Sequence, residues 1–69
     1  MTNSRLLKEA IVEAGVTMAW LADRMQISRE SLYNKINGLT EFKGSEIAKI
    51  TQLLHLSGES RDKIFLLLM

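Results

Sequence analysis

The stretch "MQISRESLYNKING", residues 25–38, sets Arg29, Glu30, Asn34 and Lys35 among apolar residues at Ile27, Leu32 and Ile36. A guanidinium, a carboxylate, a carboxamide and an ammonium on one short amphipathic segment offer hydrogen-bond donors and acceptors. Such a face is either solvated or built to read another molecule. Covalent chemistry has little support elsewhere in the chain. Ser28, Ser31 and Ser60 lack the neighbouring His or Lys base that a nucleophilic serine needs. His55 is the single histidine and there is no cysteine, so no metal site is expected. No glycine-rich phosphate loop is present. These absences predict a binding protein rather than an enzyme, with no catalytic residues, no cofactor and no small-molecule substrate.

The elements that must position this face belong to a chain of 69 residues, expected to form a single domain over 1–69. That length is near the lower limit for folding unaided, and without cysteine no disulfide can help. Closely packed helices or a partner chain must supply the stability. Hydrophobic residues at 46% suffice for a core, and charged residues at 25% are ordinary for a globular protein. A net charge of +1 is weak for a non-specific nucleic-acid binder. The charge is uneven, however. Over 24–49, Arg24, Arg29, Lys35, Lys43 and Lys49 stand against Glu30, Glu41 and Glu46. The N-terminus shows no basic-then-apolar signal segment, and the terminal "IFLLLM" is too short to span a membrane. The expected compartment is the cytoplasm, with no membrane partner.

Every stretch reads at helical period and none alternates like a strand. Residues 3–14 place Leu6, Leu7, Ala10, Ile11 and Ala14 on one face, and Gly15 stops that helix. Thr17 is an N-cap flanked by Val16 and Leu21, the spacing of a hydrophobic staple. Ser28 repeats the device with Ile27 and Leu32. Phe42 and Ile47 bracket Lys43, with Glu46 at the third helical position; lysine is a poor cap, which moves the expected start toward Ser45. That helix has Ile47, Ile50, Leu53 and Leu54 on its apolar face. Ser57 caps a last helix with Ile64, Phe65 and Leu68 facing inward. The predicted elements are five helices, about 3–14, 17–25, 28–37, 44–54 and 57–68. Gln26 and Ile27 alone separate the second and third capped segments, so these must cross steeply, as in a helix-turn-helix.

"TMAWLADRMQISRESLYNKING", residues 17–38, resembles the helix-turn-helix of the lambda-repressor-like, Cro/repressor-type family. Leu21, Ala22, Met25, Ile27 and Leu32 stand where that motif takes apolar residues, and Ala22 stands where the two helices cross. The stretch "EFKGSEIAKITQLLHLSGESRDKIF" is similar to small phage-type members in its Phe-x-x-x-Glu-Ile, Leu-x-Leu and Ile-Phe pattern. The resemblance covers nearly the whole chain. It implies an all-α, compact five-helix domain with its helix-turn-helix at 17–37, acting as a phage-type, Cro-like transcriptional regulator in the cytoplasm of a bacterial host.

The third helix would then lie in the major groove of double-stranded operator DNA. Ser28, Arg29, Glu30 and Asn34 would be its base-contacting residues. Arginine pairs with guanine, asparagine with adenine, and glutamate accepts from cytosine. Thr17, Lys35, Asn37 and Lys43 would grip phosphate. A homodimer would read two half-sites about one helical turn apart. The chain departs from the family where Met18 replaces a phosphate-clamping Gln, Trp20 a polar surface residue, and Gln26 a turn Gly. Ile11 and Ile36 stand where many repressors carry a buried Arg–Glu pair, and an apolar pair there can be equally stable. Met18, Trp20 and Tyr33 fall off the buried stripe and are expected to form an exposed, adhesive surface, with partial burial as the alternative. Small phage regulators of this kind include antirepressors, so the same surface implies a second function: modulating a cognate repressor protein.

Overall fold

Short polar side chains start four of the five helices. In α1 (Ser4–Ala14) the Leu6 N–H donates to Asn3 Oδ1 at 3.1 Å. In α2 (Met18–Met25) the Trp20 N–H donates to Thr17 Oγ1 at 3.0 Å. In α3 (Arg29–Ile36) the Ser31 N–H donates to Ser28 Oγ, and in α5 (Gly58–Phe65) the Ser60 N–H donates to Ser57 Oγ. Each bond satisfies an amide that the first helical turn leaves without an intrahelical partner. The exception is α4 (Gly44–Leu53). It begins directly after Lys43 rather than at Ser45, and the cap works backwards: the Lys43 N–H donates to Glu46 Oε1 at 2.8 Å. This is the Glu half of a capping box: the carboxylate satisfies the N-cap amide, while a lysine side chain offers no acceptor to the first-turn amides.

The structure, a computed structural model, describes residues 2–66. Among them all regular structure is helical. The observed bounds fall close to the predicted ones, except that the last helix closes at Phe65, where Leu66 turns left-handed at φ 54°. The predicted inward position of Leu68 lies outside the described residues.

The C-termini explain the tight links. Gly15, at φ 71°, ends α1. At the end of α2 the Gln26 N–H donates to Asp23 O and the Ile27 N–H to Ala22 O. This paired closure needs a left-handed residue, and Gln26 takes that role at φ 59°. Gly38, at φ 82°, does the same for α3, with Gly38 N–H on Lys35 O and Leu39 N–H on Asn34 O. His55, at φ 55°, closes α4 in the same way.

Helices of eight to eleven residues are marginal alone and must be held by packing. Leu7, Ile11, Leu21, Ala22, Leu32, Ile36, Phe42, Ile50, Leu54, Ile64 and Phe65 form one buried cluster. Helix α2 packs on α3 and α4, while α1 packs on α3 and α5. The Phe42 ring, in the α3–α4 loop, meets Phe65 edge-on at 5.4 Å. Ile64 and Phe65 thereby close the core beside α1, as their spacing predicted. The radius of gyration, 10.8 Å, matches the roughly 11 Å of a folded chain this long. No helix among the described residues is long and apolar enough to cross a membrane.

A side chain held left-handed costs more there than a glycine does. Gln26→Gly should therefore stabilise the fold by about 0.5–1 kcal/mol, read as a higher urea midpoint at unchanged slope.

Candidate functional site

Leu32 and Ile36 bury one side of α3, and this burial fixes what the opposite side presents. Ser28, Arg29 and Glu30 are exposed at its N-terminal end. Neither the Arg29 nor the Glu30 side chain makes an ion pair or hydrogen bond among the described residues. Glu30 also lies in the first turn, where the helix dipole favours a negative charge. Asn34 follows Glu30 by one turn and is half-buried. The Ser28 hydroxyl is occupied as a cap acceptor and keeps its proton available for donation.

Three further predicted residues stand exposed at helix ends. Thr17 is exposed at the start of α2, with its oxygen engaged by the Trp20 N–H. Asn37 and Lys43 are exposed at either end of the α3–α4 loop. Lys35 is different. Its side chain is only 12% exposed, and its Nζ lies 3.2 Å from Glu46 Oε1 and 3.2 Å from Glu41 O. The ammonium is turned into the molecule rather than out along α3.

Met18 and Trp20 take the partly buried alternative rather than the exposed one. Both are half-buried and pack against the core. Trp20 is covered in part by Arg24, whose guanidinium carbon stands 5.2 Å from the ring centroid. A cation over an indole face shields it from water while satisfying both groups. The i,i+4 spacing of Trp20 and Arg24 carried that signal. Tyr33 does remain exposed, at 48%. It lines an apolar groove with Ile11, Val12, Met18 and Ile36, with Lys8 at the rim. Val12, 77% exposed, was not singled out by the sequence reading, because it falls beside rather than on the buried stripe of α1. Ile11 and Ile36 themselves are buried.

The Glu46 carboxyl gathers the charges of this region. Burial pushes its pKa up, but the Lys43 N–H and the Lys35 ammonium outweigh burial and leave it below a glutamate's ordinary 4.5. The exposed start of α3 offers Ser28, Arg29 and Glu30 outward with half-buried Asn34 one turn on, and Thr17, Asn37 and Lys43 are exposed at helix ends. These groups can hold a polar, hydrogen-bonding surface by complementarity. No protein-family model, curated protein or solved structure matches the chain.

Because the folded carboxyl releases its proton more readily than the unfolded one, its contribution to stability is complete above pH 4.5 and disappears as pH falls through the lower native value. Glu46→Gln keeps an acceptor for the Lys43 N–H but removes the charge. Urea midpoints measured from neutral pH into acid should fall less steeply for this variant than for the parent protein.

Proposed function

We propose that the chain is a lambda-repressor-like, phage-type transcriptional regulator that binds operator DNA, with α2 and α3 as a helix-turn-helix and α3 in the major groove. The observation that carries this reading is the outward, unpaired presentation of Arg29 and Glu30 at the start of α3, one turn before Asn34. These are side chains whose geometry suits guanine, cytosine and adenine edges. The three-residue link at 26–28 and the small, buried Ala22 support close packing of α2 against α3. Phosphate contacts come from Lys43, Asn37, the Thr17 hydroxyl and the first-turn amides of α2. With a net charge of +1, affinity depends on these few local contacts rather than on a general basic field. Two copies on a two-fold site would place two α3 helices about one turn of DNA apart.

Selection from randomised duplexes at low salt, followed by gel shift, tests the proposal. Arg29→Ala and Asn34→Ala should each relax preference at one position, by about 1–3 kcal/mol of discrimination. Lys43→Ala should weaken all duplexes alike and reduce the salt slope by about 0.9. Failure to enrich or retard any duplex at low salt would sink the reading.

The apolar groove of Ile11, Val12, Met18, Tyr33 and Ile36 favours a second reading, in which the chain modulates a cognate repressor protein as an antirepressor. Tyr33 and Met18 are the contacts of choice there; Trp20, engaged by Arg24, is less available. Co-elution with the repressor of the neighbouring reading frame, lost in Tyr33→Ala, is the expected result. Independent elution of the two proteins would reject it.

A further inference from the structure

The loop between α3 and α4 carries both ends of the phosphate-gripping set, Asn37 and Lys43, yet little of it is buried. Leu39 is 75% exposed, and Gly38, Thr40 and Glu41 are exposed. Phe42 is its one buried side chain. Gly38, Leu39 and Thr40 are already held to α3, their N–H groups donating to Lys35 O and Asn34 O; the stretch that follows is tied through side chains. Lys35 Nζ donates to Glu41 O at 3.2 Å and lies 3.2 Å from Glu46 Oε1. That same Oε1 accepts the Lys43 N–H at 2.8 Å. One ammonium and one carboxylate oxygen therefore connect α3, the loop at Glu41, and the N-cap of α4. Both side chains are mostly shielded from water, at 12% and 17% exposed, so the pair is screened less than a surface bridge.

We infer that Lys35 is a positioning residue rather than a phosphate ligand: with Glu46 it braces the 41–43 end of the loop so that Lys43 stands at a fixed distance from α3. The inference rests on the DNA-binding reading for its purpose but not for its geometry. An ammonium already held by a carboxylate and a carbonyl must give up both to reach a phosphate. Lys43 has the opposite arrangement, with its main-chain amide held and its side chain exposed. The brace fixes the base of the side chain and leaves its charge outward.

Two measurements separate the geometry from the purpose. Heteronuclear 15N relaxation of the DNA-free protein should show the amides of residues 41 and 42 loosening in Lys35→Met and Glu46→Gln, while those of 38–40, held by α3 carbonyls, stay ordered. The helices should remain unchanged, and Lys35→Arg should restore the loop. Rigid amides at 41 and 42 in both variants would overturn the inference whether or not the protein binds DNA. If Lys35→Met does not fold, Glu46→Gln, which keeps the acceptor for Lys43, carries the same readout. The second measurement is a double-mutant cycle in duplex binding. Lys35→Met and Lys43→Ala should each cost roughly tenfold. Together they should cost no more than the worse single, with no further fall in salt slope. Additive losses, with the slope dropping by about 0.9 at each step, would make Lys35 a phosphate ligand and overturn the inference. Absence of any duplex binding by the parent protein would instead defeat the DNA reading and leave the relaxation result to decide the brace.

Discussion

The contact of α2 with α3 and α4, built on Leu21, Ala22, Leu32 and Ile50, is the constraint on which the molecule depends. None of these helices has the length to persist in water without tertiary support. Their shared burial supplies it and simultaneously decides which side of α3 faces outward. Ala22 matters for its size, since a larger buried side chain there would force the neighbouring helices to shift. Function, in this view, is a by-product of packing: the residues that face water on α3 are those left over once Leu32 and Ile36 are placed.

Much of this was legible in the residues. Caps at Thr17, Ser28 and Ser57 work locally, through a side-chain oxygen and an amide a few residues on, so sequence spacing suffices to find them. Gly15 was readable for the same reason. The apolar stripes also located the buried cluster, because burial follows helical period. Lys43 was harder. Its own side chain argued against a cap, and the helix start is held instead by Glu46 on the Lys43 N–H. Gln26 and His55 take left-handed backbones without being glycines; the paired closure at each helix end requires that geometry, and only the turn-glycine position at Gln26 hinted at it.

The side chains of the candidate site divided along the same line. Arg29, Glu30, Thr17, Asn37 and Lys43 stand exposed where their helical positions put them. Lys35 and Trp20 do not, and in each case a second charged residue is responsible. Glu46 draws Lys35 inward from another helix, a partner that no periodicity could supply. Arg24 lies over Trp20 from the next turn of the same helix and turns an apparently surplus aromatic into a half-covered one. Charge counted along the chain therefore overstates what the surface offers, because some of it is consumed internally.

The two ends of the described chain meet. The Asn3 N–H donates to Ile64 O at 2.7 Å, and the Ser4 hydroxyl donates to Ile36 O. During vectorial synthesis α1 leaves the ribosome first, but its opening residues then have neither partner. They must wait for the end of α3 and then for α5, so these late contacts join the first and last described helices. Such long-range closure slows folding compared with a bundle of sequential hairpins. It also makes a chain interrupted before α5 a different object from the folded one, with the part of α1 that packs on α5 still facing the solvent.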